Sequence, residues 1–296
     1  NFSYRGESIM NKSVKNILSY SISFLPDKVY SHVTFALRHK RLPNHRKTGY
    51  FNDMMVHKKL TDKNIELKRL VDKYHVRDHI EKEIGSDYLI PLIGVYKDPK
   101  EVNFEELPSA FVLKMTFGAQ NNLICTDKST LNWEKQKAII NKWLKYDAYK
   151  RTREWQYEGL EKQFVIEEYI SDAQGKTNDY KFWCFHGQPK IVQVDVDRHS
   201  GHKRNMYYAE NFEFIDDLYI GHPHSKEPID MPENYQEMLN IARKLSAGHE
   251  FLRVDLYNID GKIYFGELTL YPDNCNIKMK PLKYEKIFGD MLSIKS

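Results

Sequence analysis

The sequence is poor in the features that mark secreted, membrane or disulfide-linked proteins. Only three of its 296 residues are cysteine, Cys125, Cys184 and Cys275, and they are far apart with no CxxC pair. Neither a disulfide framework nor a structural zinc site is therefore predicted. No apolar run approaches the roughly 18 residues of a membrane span, and no basic-then-apolar leader opens the chain. We expect a protein without a membrane span, located in the cytoplasm.

An excess of charge of one sign is also lacking. The chain has 45 basic and 41 acidic residues, a net charge of +4, which is too small to indicate nucleic-acid binding. Basic residues do cluster between Arg38 and Lys59, where Asp53 is the single acidic residue. This cluster is typical either of a solvated helix and loop or of a surface in peripheral contact with an anionic polymer or membrane. The sequence leaves both interpretations open.

Hydrophobic periodicity divides the chain into three parts. Residues 1–87 are polar and basic up to about residue 63, with helical spacing at 29–37 and from 67 to Gly85. Residues 88–170 alternate strands at 88–96, 111–115, 123–125 and 163–170 with a helix at 134–145. Residues 171–296 contain strands at 180–185 and 190–196, a loop at 199–228, a helix around 235–245 and a strand hairpin at 252–268. The pattern indicates an α+β protein with a helical N-terminal region.

The terminal hairpin carries the densest set of chemically useful side chains. Residues two apart on a strand face the same side, so Arg253 lies beside Asp255, and Glu267 lies beside Thr269 on the partner strand. Carboxylates on neighbouring strands can hold magnesium, with waters and phosphates in the remaining positions. From spacing alone, a solvated face of the hairpin is an equally good interpretation.

Charged residues on three upstream segments are candidates for ligand contacts. Lys114 lies within a strand and precedes a loop with Gly118, and a buried ammonium needs an anionic partner, which we expect to be a phosphate rather than a protein carboxylate. The strand at 163–170 carries Glu167 and Glu168, which fit a ligand site or a solvated edge strand. Lys73 either reaches a phosphate or is an exposed helix charge.

These motifs, in this order, resemble those of the ATP-grasp superfamily. The similarity comprises Asp72 with Lys73, the Lys114 strand with its glycine-bearing loop, the strand that ends in two glutamates, and the Arg-x-Asp and Glu-x-Thr hairpin. Thr269 stands where that superfamily has asparagine. Longer segments at 50–53, 72–77, 88–96, 179–187 and 253–272 resemble the TupA-like ATP-grasp family. The resemblance implies an ATP-grasp fold, with a helical region at 1–87 and two α+β lobes at 88–170 and 171–296 that clamp ATP.

The resemblance also implies roles for individual residues. ATP would be bound by Lys73, Lys114, Gly118, Glu167, Glu168, Tyr169 and Ile170. One or two Mg²⁺ ions would be held by Asp255, Glu267 and Thr269, and Arg253 and Lys114 would be catalytic. The implied activity is that of a carboxylate–amine ligase that forms an amide through an acyl phosphate. Its substrates would be a sugar acid or acidic polymer of a bacterial capsule and a small amine or amino acid.

The sequence gives less information about the part of the site that would bind the second substrate rather than ATP. Residues on the second-lobe strands and the basic segment after them are candidates for binding an anionic substrate, namely Asp179, Lys181, Arg198, Lys203 and Arg204. A basic surface loop is an equal alternative for the last three. Three other functions stay open: a kinase of the same fold, a glycosyltransferase that uses the DxD-like pair Asp195 and Asp197, and a nucleotide-binding module without turnover.

Overall fold

The computed structural model of the chain describes residues 24–44, 49–119, 121–172, 177–196 and 201–293. The helices are α1 (Asp27–His39), α2 (Phe51–Thr61), α3 (Leu67–Val71), α4 (Val76–Ile84), α5 (Trp133–Leu144), α6 (Ala148–Thr152), α7 (Tyr235–Ser246) and α8 (Lys283–Ser293). The strands are β1 (Leu92–Tyr96), β2 (Phe111–Met115), β3 (Asn122–Cys125), β4 (Phe164–Glu168), β5 (Asn178–Phe185), β6 (Gln188–Val196), β7 (Lys203–Tyr208), β8 (Tyr219–Ile220), β9 (Phe251–Ile259), β10 (Lys262–Thr269) and β11 (Met279–Lys280).

The first sheet has four antiparallel strands in the order β1-β4-β2-β3. Burial alternates along β2, so Phe111 faces an apolar core while Lys114 faces the opposite side. Helix α5 covers the core side, and its Ile140 belongs to the same cluster of buried residues as Phe111. The Asn132 side chain accepts a hydrogen bond from the Lys135 backbone nitrogen and caps the start of α5. The opposite face, which carries Lys114, is therefore not covered by α5 and faces the second sheet.

The second sheet has five antiparallel strands in the order β10-β9-β5-β6-β7. Helix α7 packs its apolar side, including the fully buried Met238, on β5, β6 and β9. Between β9 and β10, Asp260 and Gly261 have φ of 49° and 83°, as a two-residue hairpin turn of type I′ requires. Strand β10 has a bulge at Gly266, where a Cβ atom would lie 3.0 Å from the Asp255 carbonyl oxygen. Glycine is the residue that this close approach allows.

The inner face of the second sheet has an apolar half and a charged half. In the apolar half, Trp183 and Phe251 pack against Phe51 of α2 and Phe288 of α8, with ring centroids 5.1 to 5.9 Å apart. All four rings are almost completely buried, and each contributes roughly 1.5–3 kcal/mol of hydrophobic stabilisation. The helices thus close one half of this face. The charged half borders a cavity.

Three local predictions are corrected by the structure. The single helix predicted from 67 to 85 is two helices, because the Asp72 carboxylate accepts hydrogen bonds from the backbone nitrogens of Tyr74 and His75 at 2.9 and 3.0 Å and interrupts the helix. The loop predicted at 199–228 contains β7 and β8, and β7 is held by its pairing with β6. The sequence pattern also gave no indication of α8.

Part of the basic cluster near the N-terminus is internal. Arg41 donates two hydrogen bonds to Asp53, at 2.7 and 2.5 Å, and the Lys59 side chain is almost completely buried. These two cations therefore stabilise the helical region, and residues 45–48 of the cluster lie outside the described residues. No helix in the described part of the chain combines the length and the apolar character needed to cross a bilayer.

Candidate functional site

Arg253 is the centre of the charged half of the second sheet. Its guanidinium donates a hydrogen bond of 2.7 Å to each carboxylate oxygen of Asp255. It also donates to Glu267 Oε1 at 3.2 Å and to Thr269 Oγ1 at 3.0 Å. The register pairs Glu267 with Asp255 and Thr269 with Arg253, which brings all four side chains to one face, as the sequence spacing predicts.

Lys181 extends this group onto β5. Its ammonium donates to Asp255 Oδ2 at 2.6 Å and to Asp179 Oδ2 at 2.5 Å. Burial acts to raise the pKa of Asp255, but Arg253 and Lys181 outweigh it and hold that pKa below its ordinary value. Burial acts to lower the pKa of Lys181, but Asp179 and Asp255 raise it above its ordinary value. The group therefore stays charged, and its side chains hold one another in place.

The first sheet contributes a second ionic group. Lys114 Nζ lies 2.7 Å from Glu167 Oε2, and Arg77 of α4 lies 2.9 Å from Glu167 Oε1. Arg77 also donates to the Ile90 carbonyl oxygen at 2.9 Å. Lys114 is thus paired with a protein carboxylate, where we expected none, and its contact with a phosphate stays a prediction. The physical reason is that Glu167 lies on the adjacent strand β4, on the same face as Lys114, and offers the nearest anion.

Lys73 lies between the two sheets. Its ammonium donates to the Gly118 carbonyl oxygen at 2.9 Å, and its backbone nitrogen bonds to the Thr116 carbonyl oxygen. No carboxylate of the described residues forms an ion pair with it, although the charges of Glu267 and Lys114 act on it. Burial lowers the pKa of Lys73. Gly118 itself has a φ of 70°, which favours glycine at this point of the loop.

A cavity of about 690 Å³ extends from Lys73 across the charged half of the second sheet. Its walls include charged side chains from both ends of the chain, namely Arg38, Lys73, Glu154, Lys181, Asp195, Arg204, Arg253, Glu267, Asp273 and Lys278. A smaller hollow adjoins it and is lined by Lys73, Arg77, Leu89, Ile90, Lys114, Glu167, Phe265 and Gly266. Lys73 and Gly266 border both spaces, so the two ionic groups lie in adjacent spaces of one cleft.

Arg204 lies at the β7 side of the cavity. It donates to the two oxygens of Asp195 at 2.6 and 3.0 Å and to the Ile220 carbonyl oxygen at 2.8 Å. Burial acts to raise the pKa of Asp195, but Arg204 holds it well below its ordinary value. Asp195 is almost completely buried and bound to Arg204, so it is not available as a metal ligand of the kind that the glycosyltransferase interpretation requires. Asp197 lies outside the described residues.

Some predicted site residues are not brought to the cavity. Lys203 pairs with Val196 and, by strand alternation, faces the side of β7 opposite to Arg204. Arg198 lies outside the described residues. Glu168 is exposed at the end of β4, and its backbone nitrogen bonds to a carbonyl oxygen at the start of β1. Tyr169 and Ile170 follow β4 and are partly buried.

Several residues of the cleft were not predicted from the sequence, among them Arg77, Glu154 and Asp273. Arg77 lies four residues after Lys73, within a segment that already resembles the family, and that position was the available signal. Glu154 is buried, its Oε2 accepts a hydrogen bond of 2.9 Å from Gln156, and burial raises its pKa to about 7. Asp273 follows β10. Both acids lie in irregular segments, where no periodicity shows which side chains turn inward.

Among the predicted magnesium ligands, Glu267 is best suited to the ion. Magnesium takes one or two carboxylates and leaves the other positions to waters and phosphates. The Glu267 side chain is 43% exposed and lines the cavity. The Asp255 side chain is 3% exposed, and its oxygens accept hydrogen bonds from Arg253 and Lys181. No group of three metal-binding side chains occurs in the described part of the chain. The donor set fits magnesium held by Glu267 together with phosphates.

Comparison with solved structures gives only distant similarity. D-alanine–D-alanine ligase from Bacillus anthracis is 17% identical, with a TM-score of 0.45 over 75% of this chain and 66% of that one. The same enzyme from Helicobacter pylori is 13% identical, with a TM-score of 0.41 over 76% and 61%. D-cycloserine synthetase DcsG is 13% identical, with a TM-score of 0.41 over 77% and 70%. The chain thus spans about two thirds of the length of these enzymes.

The family is shown by sequence rather than by these structural similarities. No curated protein is significantly similar to the chain. The family model described as TupA-like ATPgrasp, however, matches residues 53–293. This range includes both sheets and both ionic groups of the cleft and leaves out only α1 and the start of α2 among the described elements. The chain belongs to the TupA-like ATP-grasp family and has its α+β fold.

Proposed function

We propose that the chain is an ATP-dependent carboxylate–amine ligase that forms an amide through an acyl phosphate. The observation that carries this proposal is that the two charged spaces of the cleft are adjacent. Lys73 and Gly266 border both the hollow at Lys114 and the larger cavity at Glu267. The hollow has a volume of about 20 Å³ and would have to widen to hold a nucleotide, which would then direct its phosphates toward a second substrate in the cavity.

The side chains that border the hollow suit a nucleotide. Lys73 is a buried ammonium whose charge a phosphate would satisfy, and Lys114 lies close enough for the two charges to act on each other. Arg77 and Glu167 would hold the sugar end, and the backbone after β4 would contact the base. Magnesium held by Glu267, when bound, offsets the charge of the phosphate oxygens.

The cavity suits a carboxylate that must be activated. A carboxylate oxygen attacks the γ-phosphorus of ATP, and the bond from that phosphorus to the oxygen of ADP breaks, which gives an acyl phosphate and ADP. Arg253 lies beside Glu267 and would stabilise the negative charge that develops on the transferred group. Lys181 and Arg204 also border the cavity, where their own carboxylate partners hold them in place. The amine then attacks the acyl carbon, and phosphate leaves.

We further propose that the carboxylate belongs to a sugar acid or to an acidic polymer of a bacterial cell surface. A volume of about 690 Å³ is within the range of sites for small molecules or for the end of a polymer. The cationic residues of its walls favour an anionic ligand. The resemblance to the TupA-like family implies the same substrate class.

Hydroxylamine trapping tests the proposal. The protein is incubated with MgATP, hydroxylamine and each of several uronic acids, and ADP and hydroxamate are measured together. We expect equal amounts of ADP and hydroxamate, and neither product from the Glu267→Gln variant. ADP with a phosphorylated sugar and no hydroxamate would instead identify a kinase. Absence of ADP with every uronic acid would contradict the proposed substrate class.

A further inference from the structure

Asp273 differs from the other acidic residues of the cavity. Glu267 is hydrogen-bonded to Arg253, Asp195 to Arg204, and Glu154 to Gln156. Among the residues that the structure describes, no ion pair or side-chain hydrogen bond reaches the Asp273 carboxylate. It lines the cavity and is solvent-exposed there. It is therefore an anionic group that is available to a ligand.

The backbone around Asp273 has an unusual conformation. Asp273, Asn274 and Cys275 have successive φ values of 47°, 53° and 62°. Left-handed conformations of residues other than glycine are unfavourable, although aspartate and asparagine tolerate them best. Strain of this kind persists where the surrounding structure fixes it, and it is concentrated at functional sites.

The left-handed turn is fixed from several directions. The backbone nitrogen of Asn274 bonds to the Tyr271 carbonyl oxygen, and that of Asn276 bonds to the Asp273 carbonyl oxygen, both at 3.0 Å. The buried Lys59 ammonium donates to Asn274 Oδ1 at 2.7 Å. Helix α2 supplies Lys59, so the N-terminal helical region positions this turn. The turn begins four residues after Thr269, at the end of the strand that carries Glu267.

We propose that Asp273 binds the amine substrate as its ammonium ion and takes the proton that the amine must lose before it attacks. This inference rests on the proposed ligase function. An ammonium ion needs an anionic partner, and the other cavity carboxylates are engaged with protein groups. The nearby charges of Arg38, Arg204 and Arg253 belong to groups that form no ion pair with Asp273.

Asp273 accepts one of the two protons that the ammonium ion loses in the reaction. The ammonium transfers one proton to the Asp273 carboxylate, and the freed nitrogen lone pair forms a bond to the acyl carbon. The bond from that carbon to the phosphate oxygen breaks. The second proton of the amine nitrogen leaves with the phosphate, and Asp273 returns its proton to solvent. No oxidant or further reactant is needed.

Competition between two nucleophiles tests this role. Hydroxylamine is largely uncharged at neutral pH and needs no ammonium site, whereas methylamine is protonated. Both are offered to the acyl phosphate formed from MgATP and a uronic acid, and methylamide and hydroxamate are measured. We expect the ratio of methylamide to hydroxamate to fall about tenfold or more in Asp273→Asn, with hydroxamate formation retained. Asparagine keeps the left-handed turn and removes only the charge.

Asp260→Asn is the matched control, because Asp260 also has a positive φ, of 49°, but lies in the hairpin turn and outside the cavity. Its product ratio should equal that of the unchanged protein. An unchanged ratio in Asp273→Asn would overturn the inference, as would unchanged protein that forms hydroxamate but no methylamide. Absence of hydroxamate from the unchanged protein would instead contradict the proposed function.

A binding measurement does not depend on turnover. Saturation-transfer NMR with methylammonium chloride should show binding to the unchanged protein and to Asp260→Asn, and loss of binding in Asp273→Asn. Equal signals from all three proteins, or no signal from the unchanged protein, would overturn the role of Asp273.

Discussion

Asp255 and Glu267 are paired on the adjacent strands β9 and β10, but their surroundings predict different results on substitution. The Asp255 side chain is 3% exposed and holds Arg253 and Lys181, so Asp255→Asn leaves two buried cations short of a partner and should cost about 3–5 kcal/mol. The Glu267 side chain is 43% exposed. Glu267→Gln should lower turnover about 100-fold or more and leave the melting temperature nearly unchanged.

Urea unfolding and ADP release, measured on both variants, decide between these roles. Equal losses of stability in the two variants would contradict the assignment of Glu267 as the open metal ligand. The spacing of the hairpin predicts that both acids share a face, and the structure agrees. It could not predict which acid is enclosed, because Lys181 comes from β5, more than 70 residues earlier in the chain.

Lys114 and Arg77 both contact Glu167. A Lys114 variant can therefore lose affinity for ATP without losing the stability of the fold. In Lys114→Met, Glu167 keeps Arg77 at 2.9 Å, so the melting temperature should change little. Affinity for MgATP should fall about tenfold, since a charge-assisted contact to phosphate is lost. Calorimetry measures both quantities. Lys97→Met, at an exposed lysine just after β1, should change neither. Unchanged affinity with a large loss of stability would make Lys114 purely structural.

Glu154 should make the free energy of unfolding of the protein depend on pH. Burial raises its pKa to about 7, from 4.5. Between these values the folded state holds a proton that the unfolded state has released, so stability falls as pH rises through this window. The contribution of Glu154 to this loss is up to about 3 kcal/mol. Glu285, whose pKa burial also raises to about 7, acts in the same direction.

The pH dependence is tested with Glu154→Gln, in which the Gln156 amide can still donate to the side-chain oxygen. The free energy of unfolding of the unchanged protein should decline more steeply between pH 5 and pH 8 than that of the variant. Parallel curves would show that Glu154 titrates normally. Nothing in the sequence around Glu154 marks it as buried, because it lies in an irregular segment between α6 and β4.

At the level of elements, helix α8 lies in close contact with the segment before α2, and a substitution at this contact tests the packing. A Cβ atom on Gly289 would lie 1.9 Å from the Gly49 carbonyl oxygen, a backbone atom. Gly289→Ala should therefore push the helix away and destabilise the protein by about 2 kcal/mol or more. Lys286→Ala, at an exposed position of the same helix, is the control. A melting temperature that is unchanged in Gly289→Ala would contradict this packing.

Elements with strong periodicity could be predicted from the sequence, and those held by tertiary contacts could not. The helix Tyr235–Ser246 and the β9–β10 hairpin have clear apolar spacing and a turn of the right type, and both are confirmed. Strand β7 mixes Lys203 and Arg204 with aromatic residues, so its extended form becomes evident only through its pairing with β6. Asp72 interrupts a helix through a side-chain contact that apolar periodicity does not detect.

At the scale of the whole molecule, the two sheets meet at Lys73 and Gly266, and the central claim is that ATP lies across this junction. The resemblance to the ATP-grasp families predicts the order of the motifs and the two lobes. It does not predict how the N-terminal helices take part. Helix α1 precedes the family-matched range and places Arg38 in the cavity wall, while α2 supplies Lys59, which holds the turn at Asp273.

A crystal structure of the protein with Mg²⁺ and a non-hydrolysable ATP analogue tests this claim most directly. We expect the adenosine end against Arg77 and Glu167, with Lys114 on a phosphate. We expect the γ-phosphate between Lys73 and Arg253, with the metal ion on Glu267. A nucleotide bound elsewhere, or phosphates at the Arg38 and Lys278 end of the cavity, would contradict it.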